Sequence, residues 1–294
     1  MQKNLKIPSL WSQLALFLML YGVGWILAQI AGGAILVARL GLHNLRDIDP
    51  SDPRITGTLK LIQALSTIFL FGVTAFVSAW RTFSDRPLYH LGFRPANKSN
   101  FYILAVLLLL FSIPFEGWLG QLNKGIPLTE SMMRSEREAD KQIAAFLKAG
   151  SPLDVLINVF IMALLPAIFE EACFRGVLQR ILIGLCRSPW VGIIITAILF
   201  SALHFQFEGF LPRMFLGALL GAIYWYSGSL WASILAHFFT NGIQVVAAMY
   251  YPRFITENPS VPVFTALISL VIVVGLLAVL RKQSTVRYDQ VYPG

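Results

Sequence analysis

Apolar residues run along this chain in blocks long enough to cross a bilayer, divided by short polar connections. A crossing helix needs about 20 mostly apolar residues. The blocks that fit or nearly fit are Leu10–Val37, Leu59–Trp80, Phe101–Leu119, Val155–Arg175, Val191–Phe207, Phe210–Tyr226, Leu230–Tyr250 and Val261–Leu280. The pattern predicts an all-α fold, a polytopic membrane helix bundle of about eight transmembrane helices. Between the blocks, Asp47, Asp49, Pro50, Asp52 and Pro53 mark a turn-rich connection, and Arg81 to Asn100 forms a basic loop. Residues 120–153 are the longest polar excursion. Within it Thr129 to Lys148 predicts a helix, capped by Thr129 or Ser131 and ended by Gly150. Ala139, Ile143, Phe146 and Leu147 share one face of that helix, which suits packing on the bundle or the membrane surface. Val177–Leu185 is too short to cross and predicts an interfacial helix. Pro114 and Pro166 predict kinks, and Gly217 with Gly221 has the G-x-x-x-G spacing of close helix contact.

Composition fits this reading. Of 294 residues 56% are hydrophobic and 13% charged, against roughly 25% charged in soluble domains. The net charge of +8 suits membrane topology and anionic headgroups. No basic stretch is interleaved with aromatics, so nucleic acid is not an expected partner. Cys173 and Cys186 have no metal-ligand spacing and read as buried thiols. Lys3 and Lys6 precede an apolar run far longer than the roughly 7–15 residues of a signal peptide's core, so a retained first span is expected. An even number of spans puts both termini on one side. The basic residues of that side, among them Arg81, Arg86, Arg94, Lys98, Arg281 and Lys282, sit close to span ends, which predicts cytoplasmic termini.

Against this background the polar residues inside apolar blocks stand out. Phe169 to Arg175 reads F-E-E-A-C-F-R. A carboxylate at membrane depth costs several kcal/mol unless it is paired, protonated or facing a wet cavity. Arg175 follows Glu171 by four, the spacing of an intrahelical ion pair, which leaves Glu170 to face a cavity. A helix end with charges snorkelling into headgroups is the plainer alternative. His204 lies in a separate block, and His237 and Asn241 project from one face of another. A lone intramembrane His is most often a helix–helix contact. Several polar groups on three spans near a buried acid favour a site that binds a metal, relays protons or hydrolyses a bond.

E-E-A-C-F-R at 170–175, F-S-A-L-H at 200–204 and H-F-F-T-N at 237–241 resemble the E-E-x-x-x-R, F-x-x-x-H and H-x-x-x-N motifs of the CAAX-processing and bacteriocin-processing (CPBP) membrane endopeptidases. The stretch 217–231 is similar too, and L-G-F-R-P at 91–95 more weakly. The resemblance implies a membrane bundle that hydrolyses peptide bonds within the bilayer. Glu170 would activate water with help from His204. His237 and Asn241 would bind the water or a metal, or stabilise the oxyanion, with Glu171 and Arg175 as support. A zinc ion on Glu170, His204 and His237 is one expectation. A metal-free Glu/His mechanism is the other and is preferred, because an amide such as Asn241 is a poor zinc ligand and a good oxyanion donor. The chain divides into N-terminal spans with the extracytoplasmic loop helix (1–150), a catalytic core (151–250), and a last span with a basic tail (251–294), forming one integrated membrane domain. The expected partners are the lipid bilayer and a membrane-embedded or lipidated peptide or protein substrate. The expected location is the bacterial inner membrane. The rivals are a proton-coupled transporter, which predicts broken helices in both halves, and a non-catalytic membrane scaffold on the same fold.

Overall fold

A computed structural model describes residues 5–41, 52–148, 151–251 and 260–292. Lys3, Asp47, Asp49, Pro50 and Gly150 lie outside the described residues. The rest is an all-α bundle, in which the β pairing among the described residues is one antiparallel bridge, Leu5 to Phe83. The helices are α1 (Leu10–Leu40), α2 (Ile55–Thr82), α3 (Pro87–Leu91), α4 (Asn100–Lys124), α5 (Glu130–Leu147), α6 (Pro152–Cys186), α7 (Pro189–Ala202), α8 (Phe210–Ser227), α9 (Leu230–Tyr250), α10 (Val263–Gln283) and α11 (Tyr288–Val291). Hydroxyl caps start five of them: Ser9, Thr129, Ser151, Ser188 and Ser229 each accept from a backbone N–H in the first turn. Pro152 and Pro189 occupy the following position, where a missing N–H costs nothing.

Six helices among the described residues are long and apolar enough to cross a membrane: α1, α2, α4, α6, α9 and α10. The blocks predicted as the fifth and sixth spans are α7, of 14 residues, and α8, of 18. Hydrogen bonds show where their ends lie. At one end of the bundle Arg94 donates to the Gly228 carbonyl, Asn100 to Gln283, and Ser284 to the Tyr226 carbonyl. At the other end Asn123 of α4 receives the Leu211 N–H at the start of α8. Helix α8 therefore runs from one end of the bundle to the other.

Two predictions about the fourth block need correction. Val177–Leu185 is not a separate interfacial helix: α6 continues unbroken from Pro152 to Cys186 over 35 residues. Glu170 and Glu171 consequently lie near the middle of α6, not at its far end. The helix accommodates most of its polar side chains through internal partners. Arg175 meets Glu171, Gln179 meets the Gly221 carbonyl, and Arg180 meets Gln13 of α1. Pro114 lies inside α4, which continues through it. Ser269 of α10 donates to the Phe111 carbonyl at 2.5 Å and accepts the Phe115 N–H at 3.3 Å, so its hydroxyl bridges the ladder beside the proline.

Helix α6 is the centre of the bundle, with α1, α2, α3, α7, α8 and α9 against it. One apolar core gathers Phe17, Ala75, Phe83, Phe174, Val177, Ile181, Phe200 and Leu230 around α6. A second gathers Phe101, Leu108, Leu109, Leu220, Ile223, Ala236 and Val273 between α4, α8, α9 and α10.

Candidate active site

The sequence E-E-A-C-F-R falls where α6 changes its winding. From Glu171 to Gln179 the helix takes the wider π-helical turn, and a shorter π segment precedes it at Phe160–Leu164. Such segments are frequent at functional sites, because they re-aim side chains within an otherwise regular helix. All nine residues from Glu171 to Gln179 are buried. Their packing depends on the glycines of α8. Arg175 donates to the Gly217 carbonyl at 3.0 Å, and Gln179, four further on, donates to the Gly221 carbonyl, also at 3.0 Å. A Cβ at Gly221 would stand 2.5 Å from Gln179 Oε1 and 2.9 Å from Ile193, so any larger residue would force these side chains to shift. The G-x-x-x-G spacing thus admits two polar side chains to the backbone of α8.

The two glutamates have different surroundings. Glu171 and Arg175 are fully buried and paired at 2.7 Å, which rules out the snorkelling helix end for this pair. The same Glu171 oxygen lies 3.0 Å from His237 Nδ1. A carboxylate only accepts, so Nδ1 carries the hydrogen and Nε2 of His237 is left for other partners. Glu170 is 8% exposed and forms no hydrogen bond among the described residues. It lies within electrostatic range of His237, Arg175 and Arg213.

His204 stands just beyond the C-terminus of α7, half-buried. Its Nδ1 is 2.7 Å from the Phe200 carbonyl oxygen. A carbonyl cannot donate, so Nδ1–H is the donor and Nε2 again has the free lone pair. Phe200 joins the parts together. Its ring is edge-on to His204 at 4.9 Å and to His237 at 6.3 Å, and the Arg175 guanidinium lies 4.6 Å from its centroid. Asn241 follows His237 by one turn on the same face of α9 and is half-buried.

The predicted residues are therefore distributed as follows. Glu171, Arg175 and His237 are in direct contact. His204 joins them through Phe200, Glu170 is adjacent in the chain and through its field, and Asn241 is one turn along α9. Among the described residues no three His, Cys, Asp or Glu side chains gather closely enough to hold a metal ion. Glu170, His204 and His237, the expected zinc set, are not gathered to that degree. His237 Nδ1 faces Glu171 and His204 Nδ1 faces the Phe200 carbonyl, which leaves Nε2 of each open.

Sequence reasoning missed Arg213, Asn123 and Glu136. Arg213 donates to the carbonyl and the side chain of Gln206 at 3.1 and 3.0 Å, in the loop that follows His204. A charge inside the apolar block 210–226 could have flagged it, as it flagged Glu170. Asn123 and Glu136 give no such signal, since their partners are backbone groups more than 70 residues away.

Residues 152–243 match the model of the family described as type II CAAX prenyl endopeptidase, Rce1-like. The matched segment runs from the start of α6 into α9 and contains Glu170, Glu171, Arg175, His204, His237 and Asn241. Over this segment the chain is similar to the CAAX-type membrane endopeptidases, and its apolar helices make it an integral membrane protein. An uncharacterized 24.3 kDa protein of Escherichia coli is 28% identical over 120 residues, which is 40% of this chain and 51% of that protein. The alignment thus spans about half the length of that relative. No solved structure matches the chain.

Proposed function

We propose that this protein is an intramembrane endopeptidase that hydrolyses peptide bonds with a glutamate-activated water. The observation that carries this reading is the contrast between adjacent glutamates. Glu171 is held through Oε1 by both Arg175 and His237, whereas Glu170, nearly as buried, has no hydrogen-bond partner. A buried carboxylate without a partner is costly, and the cost is understandable where the group must meet a water and a substrate. Glu170 takes a proton from the water as its oxygen attacks the scissile carbonyl carbon. His204, held at Nδ1, offers Nε2 as a second acceptor that orients the same water. Negative charge on the carbonyl oxygen falls to the α9 pair. Asn241 donates through its amide, and His237, fixed at Nδ1 by Glu171, presents Nε2 to the same site. As the tetrahedral intermediate collapses, the carbon–nitrogen bond breaks and Glu170 returns its proton to the leaving amine.

The substrate is a membrane-embedded or lipidated peptide or protein, since the site lies in the middle of a membrane-spanning helix. Both termini are placed in the cytoplasm and the host membrane is a bacterial inner membrane. The test of the metal-free mechanism is purified protein treated with a strong chelator, with activity and bound metal measured together. Retained activity is expected. Stoichiometric zinc that is lost together with activity, and restores it on return, would overturn this mechanism.

A further inference from the structure

We propose that Glu136, on the polar helix α5, is a positioning residue for His204. The proposal rests on the endopeptidase reading for its consequence in catalysis, and on geometry alone for the positioning itself.

His204 is the second residue past α7, and the chain must turn within Phe205–Gly209 to enter α8. Phe205 adopts φ of +54°, a left-handed conformation that is strained for a bulky side chain. Such a turn persists only where its surroundings hold it, and here they come from far along the chain. One carboxylate oxygen of Glu136 accepts the backbone N–H of both Phe207 and Glu208. Asn123 at the end of α4 donates to the Phe207 carbonyl at 2.7 Å and accepts the Leu211 N–H at 2.7 Å. Arg213 holds Gln206 from the α8 side.

Glu136 is the exceptional residue of its helix. Glu130, Arg134, Arg137, Glu138, Asp140 and Lys141 of α5 are all exposed, whereas Glu136 is 7% exposed. Burying a carboxylate is unfavourable unless it is fully hydrogen-bonded, and two backbone donors supply that. Helix α5 is itself anchored at its far end, where Asn158 of α6 donates to the Phe146 carbonyl at 2.6 Å. The polar excursion between α4 and α6 is thus a brace running from the helix that carries Glu170 to the loop that carries His204. Its role is to fix the position of His204 Nε2 relative to Glu170.

The test uses the full chain in lipid nanodiscs with Glu136→Ala and Glu136→Gln. Three readings are taken: amide hydrogen exchange, the rate of His204 carbethoxylation by diethyl pyrocarbonate, and cleavage kinetics on a labelled membrane peptide. In Glu136→Ala, exchange across 203–209 rises by about tenfold or more while α6 and α9 keep their protection. The His204 modification rate changes by about threefold or more, and kcat falls by roughly 10- to 100-fold with KM little changed, as expected for a misplaced group. Glu136→Gln keeps an acceptor oxygen and stays within about threefold of the wild type on all three. Wild-type protection of 203–209 in Glu136→Ala would overturn the proposal, as would loosening of the whole bundle or a Gln variant as impaired as Ala. If the wild type cleaves no membrane peptide, the endopeptidase reading falls, while exchange and His204 modification still decide the positioning.

Discussion

Replacing either of the two adjacent glutamates by glutamine removes one carboxylate, and the structure predicts opposite outcomes for stability. Glu171 and Arg175 are both fully buried. Removing one partner of such a pair costs about 3–5 kcal/mol, because the other charge remains buried without compensation. In Glu171→Gln the Arg175 guanidinium keeps the Gly217 carbonyl at 3.0 Å and the face of Phe200 at 4.6 Å. The new amide oxygen can also accept one hydrogen bond, worth about 0.5–1.5 kcal/mol. The expected loss is therefore at the lower end, about 3 kcal/mol. Glu170 has no hydrogen bond to lose, so Glu170→Gln should lie within about 1 kcal/mol of the wild type or be slightly more stable. Reversible unfolding in mixed micelles, followed by tryptophan fluorescence during titration with a denaturing detergent, measures both. A second comparison isolates the charge: Glu171→Leu combined with Arg175→Met leaves no ion behind and should be no less stable than Glu171→Gln alone. A Glu171→Gln variant within about 1 kcal/mol of the wild type would refute the reasoning.

Two further outcomes follow from the packing and the topology. Gly221→Ala should destabilise by about 1–3 kcal/mol through its clash with Gln179 and Ile193, whereas Gly242→Ala, with nothing within 4 Å of the new methyl, should be neutral or mildly stabilising in the same unfolding assay. In a background lacking Cys173 and Cys186, single cysteines at Lys98 and Lys282 should react with an impermeant thiol reagent only from the cytoplasmic side. One at Glu138 should react only from outside, and labelling of all three from one side would contradict the arrangement of the helices.

Much of the site could be read in the sequence because membrane burial makes polar residues conspicuous. Glu170, Glu171, Arg175, His204 and His237 each interrupt apolar sequence, and the four-residue spacing of Glu171 and Arg175 predicted the pair that forms at 2.7 Å. The contact of Glu171 with His237 was not legible, because it joins helices 66 residues apart. The continuity of α6 was hidden for a related reason. Charges at 171, 175 and 180 look like a helix end until their partners on α8, α9 and α1 are seen. The end of α7 was hidden too, since Val191–Phe207 is almost uniformly apolar and the turn at Phe205 is set by Glu136 and Asn123. Polar side chains that serve distant backbone groups leave no pattern in their own neighbourhood.

The most direct measurement of the central claim compares membranes from cells expressing the wild-type protein, Glu170→Gln, or neither. New protein termini are identified by mass spectrometry, and the amount and unfolding midpoint of the two proteins are checked to be equal. Termini generated within or beside membrane spans should appear with the wild type and be absent with Glu170→Gln, because an amide cannot take the proton of the attacking water. The same new termini at equal abundance with both proteins would contradict the assignment of Glu170, and no difference between the wild type and cells lacking the protein would contradict proteolysis itself.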